Sequence, residues 1–353
     1  MPPTRFAGLP RYCAIAILVG MALAIFVLAL VAMAQPDPTP SSDGSDIDMY
    51  AAVVEHMRHG EDFYGALRAG LSAGHYGMKS VFNWRTPFFM SLVALFPTLL
   101  GMQLVVIMAA IAGTFLACWL AWREAGRAAA GTILLLQLIS LVACLVPRGY
   151  LFSEMPAGMV ILVSASAYGL GWRRIGLANG LLALFIRELA APYVLVCAFL
   201  AWRDRRYREL ALWGVGLLAY GAYFLWHIHM VGLHQSPADH GDPTGWMDFG
   251  GAVFVLNAAA FNGLMLAAPL WGTAILLPIA FIGLMAWPGP AGERVALTVF
   301  FYLALFAVAG KTYNSYWGAL FTPIMMTGLI WFPAGVRDLW QMARSSRPRT
   351  VPV

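Results

Sequence analysis

Apolar runs close to the roughly 20 residues needed to cross a bilayer recur along this whole chain, with charged residues set between them. In lipid every backbone N–H and C=O must find its partner inside the protein, so such a chain folds as helices or as a closed barrel. Barrel strands are short and alternate apolar with polar residues. The run 13–34 is long and does not alternate, and the later runs share that character. The expected fold is therefore all-α, a polytopic helical membrane protein. Only 11% of the 353 residues are charged, against about a quarter in a soluble protein. The stretch 1–353 accordingly reads as a single integral membrane domain.

A net charge of +5 invites a nucleic-acid reading, but the placement of the charges argues otherwise. Arginines flank the apolar runs at Arg5 and Arg11, Arg123 and Arg127, Arg173 and Arg174, and within 203–208 and 337–349. Most acids fall in the alternate loops: within 37–62, at Glu154 and Glu188, and within 239–248. This is the positive-inside pattern, so the charge sets topology and no nucleic-acid partner is implied. Cys13, Cys118, Cys144 and Cys197 lie inside apolar runs, with neither a CxxC pair nor a disulfide framework. Ala32-Met33-Ala34 before Gln35 resembles a signal-peptide cleavage site, but the apolar stretch before it is too long. It reads as an uncleaved first span.

Hydropathy and charge together predict about ten spans: 12–34, 102–122, 128–146, 157–172, 175–186, 189–202, 210–232, 270–287, 295–310 and 319–334. Both termini are then cytoplasmic. Residues 35–101 form the first outside loop, opening on the turn formers Pro36, Pro38 and Pro40. Residues 87–99, interrupted by Pro87 and Pro97, lie as a helix in the outer interface, and 251–268 repeat that pattern.

The first outside loop holds the richest chemistry. Asp46 and Asp48 precede Tyr50, Val54, Met57 and Phe63-Tyr64, whose spacing suits a short amphipathic helix on the membrane. Carboxylates at its N-terminal edge face the positive end of the helix dipole and stay ionised. An ionised carboxylate beside an acceptor hydroxyl can take its proton as a new bond forms. The plainer reading is a pair of solvated loop acids.

Asp46-Ile47-Asp48-x-Tyr50, Gly60-x-x-Phe63-Tyr64 and Trp84-Arg85-Thr86-Pro87-Phe88 resemble the first lumenal loop of GT-C glycosyltransferases. The likeness is nearest to GPI mannosyltransferase I and to bacterial polyprenyl-phosphate-mannose-dependent mannosyltransferases, with lipid A aminoarabinose transferases more distant. The resemblance implies a GT-C-like fold and places the family's first-loop base on Asp46, with Asp48 completing its D-x-D. The family's second acid falls on Glu154, within Ser153-Glu154-Met155-Pro156, and its basic residue between two later spans on Arg187, followed by Glu188.

A polyprenyl-phosphate leaving group is anionic, and the guanidinium fork binds phosphate bidentately. Arg85, Arg148 and Arg187 all fall at outer ends of spans in this topology. The structural alternatives are that Arg187 pairs with Glu188 and that Arg148 anchors a helix end. His227, His229, His234 and His240, with Asp239 and Asp242, include metal-ligand residue types, but their spacing fits no named site. His56 and His59 share a helix face, where surface placement competes with lining an acceptor cleft. Tyr313, Asn314, Tyr316 and Trp317 form an interfacial aromatic belt that can also stack on sugar.

The expected function is transfer of a sugar from a polyprenyl-phosphate donor to a glycan, lipid or protein acceptor, with inversion. Asp46 acts as base, Asp48 and Glu154 assist or hold a divalent metal ion, and Arg85, Arg148 and Arg187 hold the phosphate. Tyr50, Tyr64 and Glu188 complete the substrate-binding set, with no dedicated metal-ligand cluster. The expected address is the inner membrane, with the site facing the periplasm. Two rivals stand: a transporter or flippase for a lipid-linked sugar, which calls for broken or charged helices at the bilayer midplane, and a polysaccharide polymerase or ligase of another fold. The second needs outer-loop arginines but no acidic first loop.

Overall fold

The computed structural model describes residues 1–35, 46–241, 248–263 and 265–345, and among these the chain is helical with no strand. Pro36, Pro38, Pro40, Asp242, Arg347 and Arg349 lie outside the described residues. Helix α1 (Arg11–Met33) is apolar on every side and buries only Ala14 and Ala32, as a helix facing lipid does. Two short helices follow, α2 (Asp46–Arg58) and α3 (Phe63–Ala73). Asp62 caps α3 by accepting from the backbone N–H groups of Tyr64 and Gly65. Helix α4 (Pro87–Ala94) starts on Pro87, whose ring suits a first helical turn. It is eight residues long, so 87–99 does not cross, in line with the expected interfacial helix.

Helices α5 (Leu99–Ala125) and α6 (Arg127–Leu145) reverse at Gly126, whose φ of 91° is cheap only for glycine. Then come α7 (Glu154–Gly169), α8 (Arg173–Ile186), α9 (Ala191–Arg203), α10 (Tyr207–His234) and the short α11 (Gly251–Ala259). Helices α12 (Leu270–Ala286) and α13 (Gly289–Val308) lead to the final pass. Among the described residues four helices, α1, α5, α10 and α13, are long and apolar enough to cross a membrane by themselves. The other passes are shorter. At 14 residues, α8 rises about 21 Å, against a hydrocarbon core of about 30 Å. The turn between α8 and α9, carrying Arg187 and Glu188, is therefore drawn into the bundle, and Tyr302 of α13 donates to the Leu189 carbonyl there (2.9 Å).

Contacts at the helix ends fix two faces. At one end, Tyr150 donates to the Leu99 carbonyl (2.8 Å), joining the start of α5 to the turn before α7. At the other, Trp287 donates to Glu124 (2.5 Å), Arg203 to Glu293 (2.9 Å), and Arg5 to the Gly289 carbonyl (2.6 Å). The arginine-flanked turns thus share one face, as the charge pattern predicts. The end holding Asp46, Arg85 and Glu154 is the site end.

The last pass departs from expectation. Residues 319–334 do not form one regular helix. Two 3₁₀ segments, Thr312–Leu320 and Met326–Ile330, flank the single turn α14 (Thr322–Met325), and α15 (Phe332–Arg344) follows. The cause is close backbone packing: a Cβ at Gly318 would overlap the Ala258 carbonyl, and one at Gly158 the Ala319 carbonyl. Helix α15 is amphipathic, with Asp338 and Leu339 buried and Trp340 exposed. Its Asp338 accepts from both the backbone N–H and the hydroxyl of Thr4 (2.9 Å each), tying α15 to the segment before α1.

Candidate functional site

The site is built on α2 and the turn before α4. Asp46 opens α2 and Tyr50 lies one helical turn later, so both reach the same side. Trp84, fully buried, donates from its indole to the Met78 carbonyl (2.8 Å) and fixes the backbone next to Arg85. Tyr223 of α10 accepts from the Phe88 backbone N–H (2.9 Å), satisfying one of the orphan donors at the start of α4.

Every nitrogen of the Arg85 guanidinium is used. Nε donates to the Tyr50 hydroxyl (2.8 Å), Nη1 to Glu154 Oε1 (3.1 Å), and Nη2 to the Tyr316 hydroxyl (3.1 Å). Burial pulls its pKa down, but Tyr50, Glu154 and Tyr316 outweigh that and hold it well above its ordinary value. The same Glu154 oxygen lies 2.8 Å from Arg187 Nε, and Arg187 Nη1 lies 2.5 Å from Glu188 Oε1. These two ion pairs lack hydrogen-bond alignment, and the second oxygens of both Glu154 and Glu188 have no hydrogen-bond partner. Glu154 is completely buried and Arg187 nearly so. A small cavity runs between the two arginines, lined by Arg85, Thr86, Phe89, Ser153, Arg187 and Glu188. Two guanidiniums compete for one carboxylate oxygen beside it.

Asp46 stands at the edge of this group. The Tyr76 hydroxyl donates to Asp46 Oδ1, and burial followed by that hydrogen bond raises the Tyr76 pKa, so the phenol stays protonated. Asp46 and Glu154 both bear on the Tyr50 hydroxyl, whose pKa is raised chiefly by burial while Arg85 opposes the rise. Tyr316 completes the wall: its ring stacks on Phe152 with centroids 4.5 Å apart, and its hydroxyl donates to Asn314 (3.2 Å).

Asp48 and Arg148, both expected in the chemistry, meet instead as an exposed pair 3.4 Å apart. Tyr64 belongs to another group, with its hydroxyl 3.0 Å from His227 Nδ1 and its ring stacked on His234. The histidines do not converge: His234 Nδ1 meets the Met230 carbonyl, and His240 meets the His75 carbonyl. Asp239 is gripped by the Arg68 fork through two contacts of 3.0 Å, which holds its carboxyl below the usual carboxylate range. His56 pairs with exposed Glu61, and His59 with the Glu55 carbonyl, so both lie on the surface. Among the described residues no three His, Cys, Asp or Glu side chains come together to hold a metal ion. Asp48 and Glu154 in particular pair with different arginines, Arg148 and Arg85.

No protein-family model matches the chain, and neither does any curated protein. Among solved structures it is similar to the crystal structure of ArnT from Cupriavidus metallidurans in the apo state. The identity is 15% and the TM-score 0.51, over 91% of this chain and 60% of that one. The fold is GT-C-like. The chain thus spans about 60% of the length of its structural neighbour. On this GT-C-like frame the acids of the first long loop and the acid opening α7 are brought to one end, with Arg85 linking them to the segment after α13. Sequence reasoning missed Tyr76 as a partner of Asp46, and it placed Tyr316 in a belt rather than on Arg85. Tyr76 follows Gly74 and His75, and the one signal available was an aromatic residue at a turn within the acidic loop.

Proposed function

We propose that the chain transfers a sugar from a polyprenyl-phosphate donor to an acceptor at the membrane surface, inverting the anomeric centre. The observation that carries this reading is the convergence of Arg85 and Arg187 on one Glu154 oxygen beside a small cavity, with Asp46 next to the Tyr50 that Arg85 also grips. Asp46 takes the proton of the acceptor hydroxyl as its oxygen attacks the anomeric carbon. The bond from that carbon to the phosphate oxygen breaks, and the departing phosphate gains a negative charge. Arg85 and Arg187 meet that charge, and preorganised cations in a dry site stabilise developing charge far better than water does. Glu154 positions both guanidiniums while it is itself buried. Asp48 and Arg148 lie on the exposed rim, so the phosphate is assigned to Arg85 and Arg187 alone.

The arginine-rich turns gather at the face opposite the site, so the positive-inside rule orients the site to the periplasm of an inner membrane. The acceptor is a glycan, lipid or protein presented there. The test is purified protein in liposomes, supplied with radiolabelled polyprenyl-phosphate sugars and membrane extract. Label should leave the polyprenyl phosphate and enter an acceptor, and Asp46→Asn should stop it. Label that crosses the bilayer still attached to its lipid, with Asp46→Asn unimpaired, would make the chain a flippase instead.

A further inference from the structure

A second cavity, of about 430 Å³, opens at the end opposite the site, where the α7–α8, α9–α10 and α12–α13 turns meet. Its walls include Glu124, Tyr168, Arg173, Asp204, Arg206 and Arg294. Arg294, on α13, is only 4% exposed. Its guanidinium carbon sits 3.9 Å from the centre of the Tyr168 ring, and Nη1 donates to Cys197 Sγ at 3.1 Å. Its Nε has no hydrogen-bond partner, and no carboxylate lies within ion-pair distance of it among the described residues.

This is an unusual position for a guanidinium. It cannot shed its proton, and a buried charge without a counter-ion is expensive. A thiol is a weak acceptor, and an aromatic face returns only part of the lost hydration. The nearby acids are engaged elsewhere. Asp204 accepts from Arg203 and Arg206 (3.0 and 3.1 Å), Glu209 accepts from Arg206 through Oε2 (2.7 Å) while its buried Oε1 has no hydrogen-bond partner, and Glu124 accepts from the Trp287 indole (2.5 Å). Three arginines therefore line a cavity whose deepest cation has no anion of the protein's own.

We infer that this cavity binds a phosphate group, with Arg294 as its buried floor and Arg173 at its mouth. A guanidinium matches phosphate with two parallel hydrogen bonds. The mouth lies beside Trp172, which packs edge-on against Trp119 (5.2 Å) as interfacial tryptophans do at the level of lipid headgroups. Gly171, with φ of 86°, lets the α7–α8 turn close over the cavity wall without a side chain. The phosphate belongs to an anionic lipid headgroup or to a soluble phosphate compound, and the same chemistry serves either. The inference stands apart from the transfer reaction, since none of these residues belongs to the site end.

Two measurements on the detergent-purified full chain separate the sources. Native mass spectrometry compares retention of phosphatidylglycerol with that of diacylglycerol, which has the same tails and no phosphate. Thermal unfolding compares inorganic phosphate with chloride at equal ionic strength. Retained phosphatidylglycerol without a phosphate shift identifies a lipid headgroup, and a phosphate shift without lipid retention identifies a soluble ligand. Arg294→Gln should weaken whichever binding is seen by about tenfold, the value of one charge-assisted hydrogen bond. If that variant does not fold, Arg173→Gln at the exposed mouth carries the test, with a loss of about threefold or more expected. No binding by wild type, or binding unchanged in the folded variant, overturns the proposal and leaves Arg294 as a packing residue held by Tyr168 and Cys197.

Discussion

The two ends of the bundle use the same residue types to opposite effect. At the arginine-rich end, Arg203 pairs with both Asp204 and Glu293, and Arg206 with both Asp204 and Glu209, mostly at the surface. Arg203 and Glu293 are 41% and 32% exposed, so water and salt screen them. At the site end, Arg187 and Glu154 are 3% and 0% exposed, two arginines crowd one carboxylate oxygen, and two other carboxylate oxygens lack hydrogen bonds. The exposed network is screened by water and worth little. The buried one is incomplete, costly, and ready to rearrange around an incoming anion. Two buried cations drawn to one carboxylate oxygen, rather than charge itself, distinguish the site.

The sharpest way to break that comparison is at the base. Asp46→Asn should cut transfer by about a hundred- to ten-thousand-fold while leaving unfolding unchanged. Turnover near normal would remove Asp46 from the mechanism and leave Glu154 as the acid to test. Next in size, Glu154→Gln should destabilise the chain by about 3–5 kcal/mol, because it leaves two buried guanidiniums without their shared anion. Denaturant unfolding in detergent measures it, and a loss below about 1 kcal/mol would mean water reaches the pair.

Arg85 then tests geometry against charge. Arg85→Lys should lose donor use nearly as completely as Arg85→Ala, since an ammonium cannot serve Tyr50, Glu154 and Tyr316 together. Donor titration reads this, and a lysine variant with ordinary donor dependence reduces Arg85 to a helix anchor. Tyr76→Phe should be milder. Losing one hydrogen bond of about 0.5–1.5 kcal/mol slows turnover about two- to tenfold, with acceptor affinity kept. Faster turnover would show instead that Tyr76 restrains the base. Smallest of all, Glu293→Gln at the opposite end should cost no more than about 1 kcal/mol and leave transfer intact.

Hydropathy carried most of the fold because α1, α5, α10 and α13 are solvated by lipid on much of their surface, and such helices announce themselves residue by residue. Pro87 opened the interfacial segment where the structure opens it. Arg187-Glu188 stood out as charges between two apolar runs, and Asp46 and Tyr50 by helical spacing. The broken last pass was not legible. Its cause is contact between remote backbones at Gly318 and Ala258, and no local pattern encodes that. Tyr316 escaped for the same reason, since it meets Arg85 across 231 residues. Asp48 matched the resemblance in type and Arg148 stood at an outer span end, but their exposed pairing depends on how the turn before α7 folds against α2.

The bond between Thr4 and Asp338 joins residues 334 positions apart, and it has a consequence in time. Helix α1 rests on α12 and α15, both made long after it emerges from the ribosome. Until then it has only lipid for company. Helix α1 thus docks only once α12 has been made, and its tie to α15 comes later still. A break in synthesis before α12 would leave α1 without its main neighbours and expose it to any protease that patrols the membrane.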